Sequence, residues 1–166
     1  MSQTNFEGQK IDLMGQFPKV GQHAHDFELV GTDLKLITNE MFLGKKVVLN
    51  IFPSVDTPVC ADVCMTFEEK LIDRDDVEAL CISADTPFAA DRFAELNNIK
   101  KMRFASTFRN LSFGEDFGVE IGEGPLLQLC ARAVLVLDEK GVIIYAELVD
   151  DIVFTPNYDA VMMALK

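Results

Sequence analysis

Residues 45–60 read KKVVLNIFPSVDTPVC. The part from Lys46 to Phe52 is a run of apolar and β-branched residues suited to a strand buried on both faces. Pro53 has no N–H to donate and closes that strand. From Pro58 the period changes: Cys60, Val63, Cys64, Phe67 and Leu71 recur at helical spacing, while EEK (68–70) and DRDD (73–76) supply the wet side and the stop region. A helix therefore starts just after the strand, and the junction carries two prolines, a threonine and a cysteine.

Downstream, VEALCISA (77–84) is the next buried strand, and TPFAADRFAELNN (86–98) the next helix, with Thr86 as N-cap and Pro87 at its first position. MRFAST (102–107) is a shorter strand, and RNLSFGEDFGVEIGEGPL (109–126) reads as a glycine-punctuated loop region. ARAVLVLDEKGVIIYAEL (131–148) gives two strands joined by a turn at Glu139-Lys140-Gly141, and TPNYDAVMMALK (155–166) a C-terminal helix with proline near its start. Upstream, NFEGQKIDLMGQF (5–17) reads as a hairpin about Gly8, and HDFELVGTDLKLI (25–37) as a second pair of short strands about Gly31-Thr32-Asp33. TNEMFLGK (38–45) has room for one helical turn closed by Gly44. This order of elements predicts an α/β architecture with a central mixed sheet flanked by helices.

With 166 residues, 49% of them hydrophobic, the chain is expected to form one domain around one core. No stretch reaches the roughly 18 unbroken apolar residues of a membrane helix, and the first ten residues lack a secretory pattern, so the expected setting is soluble and cytoplasmic. Fifteen Lys and Arg against 27 Asp and Glu give a formal charge of −12, which argues against nucleic acid as a partner. Cys60, Cys64, Cys81 and Cys130 are better read as thiols than as a disulfide framework. Their spacing, one CxxxC pair with no second pair, disfavours zinc, and His23 and His25 form an HxH with no third ligand nearby.

Cys60 is expected in the first turn of the helix that follows the central strand. Unpaired backbone N–H groups and the positive end of the helix dipole favour an anion there, and a thiolate is such an anion. Ligands of α/β sheets also gather at the carboxyl ends of strands. The alternative is a small apolar filler, as most cysteines are.

Pro53, Thr57 and Cys60 match Pro-x-x-x-Thr/Ser-x-x-Cys, and with them the chain resembles the peroxiredoxins, in particular the bacterial thiol peroxidase group. The likeness continues in order through VGQHAHDFELV, GKKVVLNIFPSVDTPVCA, LCISADTPFAADRF, STFR, FGEDFGVEIGEGPL and ARAVLVLDE. The resemblance implies a thioredoxin-like fold with an N-terminal hairpin extension, residues 1–17, and reduction of hydrogen peroxide and organic hydroperoxides. By position it implies Cys60 as the peroxidatic nucleophile, Thr57 as the hydroxyl holding thiolate and peroxide, Pro53 as the shield over the site, and Arg132 as the accompanying arginine. It also implies thioredoxin or another thiol as reductant and a homodimer; no cofactor or metal is implied, since cysteine carries the redox chemistry. The roles are chemically sound. Displacement at a peroxide oxygen moves negative charge from sulfur to the leaving oxygen, which a fixed cation and preset donors serve, and a planar guanidinium can face both atoms.

One feature departs from the group's pattern. Where its resolving cysteine follows Arg-Phe in the second helix, DRFAEL carries Ala94. The sulfenic acid on Cys60 must then be resolved otherwise. Cys64, one helical turn on, is a candidate resolving thiol, although two cysteines on one helix seldom satisfy the bridge torsion and Cys64 lies in the apolar stripe. Cys130, two residues before Arg132, is a weaker candidate, an external thiol is another route, and Cys81 reads as inert core. A redox sensor or binding protein with little turnover remains an alternative reading, and a disulfide-exchange role is weakened because CxxxC is not CxxC.

Overall fold

The computed structural model describes residues 2–166. In chain order it contains β1 (Gln3–Phe6), β2 (Gln9–Met14), β3 (Glu28–Gly31), β4 (Leu36–Thr38), β5 (Lys46–Ile51), α1 (Pro58–Leu71), β6 (Val77–Ser83), α2 (Pro87–Leu96), β7 (Arg103–Ser106), α3 (Phe113–Asp116), β8 (Glu120–Ile121), β9 (Ala133–Leu137), β10 (Ile143–Leu148) and α4 (Tyr158–Ala164). A 3₁₀ turn at Asn39–Phe42 precedes β5, and Gly44 turns the chain into that strand at φ +92°.

Strand β5 organises the main sheet, whose order is β10-β9-β5-β6-β7-β3-β4. It runs parallel to β6 and antiparallel to β9, with Asn50 opposite both Cys81 and Val134. The parallel β5-β6-β7 unit follows from its connections, because α1 carries the chain from β5 to β6 and α2 from β6 to β7. Both faces of β5 are covered, as its unbroken apolar run predicts. Val47, Leu49 and Ile51 join a core with Phe27, Phe113 and Phe117, whereas Val48 and the following Phe52 face the stripe Cys60, Val63, Cys64, Phe67 and Leu71 of α1. Val161 and Leu165 bring the C-terminal helix region to this second core. There Phe67 meets Tyr158 edge-on at 5.2 Å between centroids, an arrangement that adds about 0.5–1.5 kcal/mol to the burial itself.

Two helix starts follow their sequence signals. The Thr86 hydroxyl accepts the Ala89 N–H at 3.3 Å with Pro87 next to it, and the Asn157 side chain accepts the Ala160 N–H at 3.0 Å, one residue beyond Pro156.

The segment 109–126 is a correction to the sequence reading. Rather than a loop it holds α3 and β8, and β8 completes a second sheet of order β1-β2-β8 in which Leu13 pairs with Ile121. The apolar residues in this segment outweigh its glycines: Phe113 and Phe117, one helical turn apart, stack at 4.6 Å and enter the main core. The glycines allow close approach. A Cβ on Gly118, at φ +64°, would overlap the Phe17 amide nitrogen and the Gln16 carbonyl, so the end of the N-terminal arm lies directly on the residue that leaves α3. Gly118→Ala is expected to destabilise the protein by at least about 2 kcal/mol and lower its melting temperature by roughly 4–8 °C, as thermal unfolding will measure.

Candidate active site

The junction after β5 is shaped by its own polar groups. Pro53 is buried at the end of the strand, and the Thr57 hydroxyl donates to the Ser54 carbonyl at 3.1 Å rather than capping the helix it precedes. Pro58 takes the first helical position and Cys60 the third. The helical ladder opens with the Ala61 N–H donating to Thr57 C=O at 3.1 Å, so the amides of Val59 and Cys60 lie ahead of it at the positive end of the helix.

Arg132, the residue before β9, reaches this point from the start of the strand next to β5. One guanidinium nitrogen, Nη2, donates to Cys60 Sγ at 3.2 Å, and Nε donates to the Ile152 carbonyl at 2.9 Å. The third, Nη1, is buried with no hydrogen-bond partner among the described residues. Arg132 and Cys60 are each 1% exposed. The ion pairs among the described residues are Lys45–Glu78, Arg74–Asp76 and Arg92–Asp56, so no carboxylate neutralises Arg132. A buried, unpaired guanidinium carries a desolvation penalty of several kcal/mol. The Cys60 sulfur is the side-chain acceptor placed against Arg132.

Thr57, Pro53 and Arg132 also line one small cleft of 180 Å³, together with Val59, Leu129 and Val153. The four residues singled out in the sequence, Pro53, Thr57, Cys60 and Arg132, are therefore brought together.

Asp85 belongs to the same construction and was missed by the sequence reading. Its carboxylate accepts from the Ser54 hydroxyl at 2.8 Å, the Val55 N–H at 2.8 Å and the Ser83 hydroxyl at 2.6 Å, tying the end of β6 to the loop that carries Pro53 and Thr57. In sequence it stands beside the Thr86-Pro87 helix start, and no local pattern points to a loop thirty residues upstream.

The remaining cysteines divide sharply. Cys64 and Cys81 are buried with their sulfurs 3.3 Å apart, and the Asn50 amide nitrogen lies 3.7 Å from the first and 3.6 Å from the second. Cys81 is core, as its strand suggested, but its neighbour is another sulfur. Burial first, then the adjoining Cys81, push the Cys64 thiol up, and Arg132 pulls it in the opposite direction. Cys130 corrects the expectation that it can approach the site: it packs in the core on the other side of the sheet from Cys60, where burial pushes its thiol up to about 12. Ala94 is half-buried on α2 against the Cys60 core. His23 pairs with Val142 as an isolated bridge, and His25, outside the strands, sets its ring edgewise to Phe117.

The chain is similar to known proteins along nearly its whole length. A thiol peroxidase of Vibrio cholerae serotype O1 is 46% identical over 160 residues, which span 96% of this chain and 98% of that one. A thiol peroxidase of Mycobacterium tuberculosis is 46% identical over 165 residues, 99% of each chain. Among solved structures, a peroxiredoxin-like protein from Aquifex aeolicus superposes with a TM-score of 0.94 at 36% identity, covering 99% of this chain and 96% of its own. A thiol peroxidase from Chromobacterium violaceum, at 22% identity and a TM-score of 0.88 over 98% of this chain and 94% of its own, shares the fold, which is thioredoxin-like. The Redoxin family model matches residues 19–162, and the chain belongs to that family.

Proposed function

We propose that the chain is a thiol-dependent peroxidase that reduces hydrogen peroxide and organic hydroperoxides, with Cys60 as its nucleophile. The observation that carries this reading is the buried Arg132 guanidinium, 3.2 Å from Cys60 Sγ and unpaired with any carboxylate. The Cys60 thiolate attacks one peroxide oxygen, the O–O bond breaks, the departing alkoxide or hydroxide takes up a proton, and Cys60 becomes a sulfenic acid. Charge moves from sulfur towards the leaving oxygen during that step. Arg132 can follow it, with Nη2 on the sulfur and Nη1 free for the peroxide. In this reading Thr57 offers its hydroxyl at the cleft, and Pro53, which lines the same cleft, is the shield over the site.

In this reading the whole chain acts as one domain, with residues 1–17 as its hairpin extension. Thioredoxin or another thiol is the reductant, and the setting is the cytoplasm; no helix among the described residues is long and apolar enough to cross a membrane. Exposed Leu127, Val153 and Phe154 beside the cleft support a homodimer.

A second reading, a peroxide sensor with little turnover, is favoured by Ala94 in place of a thiol and by the near-complete burial of Cys60. Turnover separates the two. With a thioredoxin recycling system and excess peroxide, each chain is expected to consume many equivalents; consumption that stops at one equivalent supports the sensor.

A further inference from the structure

The sulfurs of Cys64 and Cys81 lie 3.3 Å apart in the core, with an asparagine amide over both, on the central strand. An uncharged amide is costly at such a position. Asn50 is fully buried between Val48 and Phe52 on a strand covered on both faces, and its Oδ1 has no partner among the described residues. Its nitrogen is directed at the two sulfurs and nothing else. Cys60 lies one helical turn before Cys64 on the same buried stripe of α1, so the three cysteines form a continuous row from the Arg132 contact to β6.

We propose that Cys64 and Cys81 form a second redox centre, a buried dithiol that takes the oxidising equivalent from Cys60 and holds it as a Cys64–Cys81 disulfide. The inference rests on Cys60 being the peroxide-reactive sulfur and names what resolves its sulfenic acid. The Cys64 sulfur attacks Cys60–S–OH as its proton is lost; the S–O bond breaks, water leaves, and a Cys60–Cys64 disulfide forms. Cys81, losing its proton, attacks Cys64 Sγ; that S–S bond breaks, and Cys60 departs as a thiolate beside the Arg132 guanidinium. Cys64 and Cys81 together lose two electrons and two protons, the hydroperoxide becomes an alcohol and a water, and Cys60 is restored.

The geometry favours the second exchange. A bridge between positions four apart on one helix distorts that helix, and strained disulfides are the more readily exchanged. Cys64 and Cys81 sit on different elements, and their sulfurs need to close by only about 1.3 Å to reach a bond of about 2.05 Å. The Asn50 N–H groups can stay on both sulfurs before and after. Burial pushes the Cys64 thiol up, which favours its neutral form until Cys60 is oxidised. Reduction retraces the exchange to Cys60, whose neighbours Thr57 and Val59 line the cleft.

The test is disulfide mapping of the full, unmodified chain after one equivalent of hydrogen peroxide, with acid quenching, alkylation of free thiols and unreduced peptide analysis. The expected product is a Cys64–Cys81 linked peptide with Cys60 alkylated. In Cys81→Ala the oxidation should stop at Cys60, as a Cys60–Cys64 bridge or as sulfinic acid, with the sulfinic fraction under excess peroxide raised several-fold over the unmodified chain. Peroxide consumed while Cys81 of the unmodified chain remains a free thiol overturns the dithiol and leaves Cys60 as nucleophile. Peroxide consumed by Cys81→Ala with Cys60 recovered unoxidised overturns the function on which it rests.

Discussion

Cys60→Ser is expected to cut peroxide consumption by at least about a thousandfold, roughly 4 kcal/mol of barrier, with the other three cysteines in place. The reason is specific to this sulfur. Cys130 is buried on the far side of the sheet with its thiol pushed up to about 12, and the Cys64 thiol is pushed up as well, so neither offers peroxide a competent thiolate near neutral pH. A serine hydroxyl at position 60 stays un-ionised, and Arg132, which has no carboxylate partner, loses the sulfur 3.2 Å from its Nη2. A moderate loss of stability, of about 1–3 kcal/mol, should therefore accompany the loss of activity, because a buried cation is left unpaired. Stopped-flow peroxide consumption and thermal unfolding of the same variant measure both effects.

The second large effect is expected at Arg132. Arg132→Lys should lower kcat/KM for hydroperoxide by about 10²–10³, the scale for losing one preorganised donor to developing charge. Lysine keeps the charge but is a point on a flexible stem. It cannot hold the Ile152 carbonyl, the Cys60 sulfur and a third partner at once, as the three guanidinium nitrogens are placed to do. Arg132→Met should lose more. A purely structural arginine would lower stability and leave kcat/KM of the folded protein near that of the unmodified chain, so kcat/KM and thermal unfolding of the same variants separate the two roles.

Much of the fold was legible because single-residue chemistry and periodicity agreed. The unbroken apolar run of β5 marks a strand covered on both faces, and the five-residue stripe from Cys60 to Leu71 is the buried face of α1. Thr86 with Pro87 marked the start of α2. The segment 109–126 was misread because its glycines were taken as loop signals, whereas Gly118 serves a close backbone approach to Phe17 and the phenylalanines around it enter the core. The candidate site divides in the same way. Pro53, Thr57 and Cys60 share one short motif, and Arg132 stood out as a charge opening an apolar strand. Asp85 and the Cys64–Cys81 contact were not legible, since each depends on how α1 and the end of β6 pack against other parts of the chain. Cys130 looked near the site because it is two residues from Arg132, but it lies on the opposite side of the sheet.

The most direct measurement is the mass of each cysteine-containing peptide of the Cys64→Ser protein after one equivalent of hydrogen peroxide, where an oxidised Cys60 has no Cys64 thiol to condense with. The predicted result is one or more added oxygens on the Cys60 peptide, with Cys81 and Cys130 recovered as thiols. Added oxygen on Cys81 or Cys130 with Cys60 intact would contradict Cys60 as the peroxide-reactive sulfur.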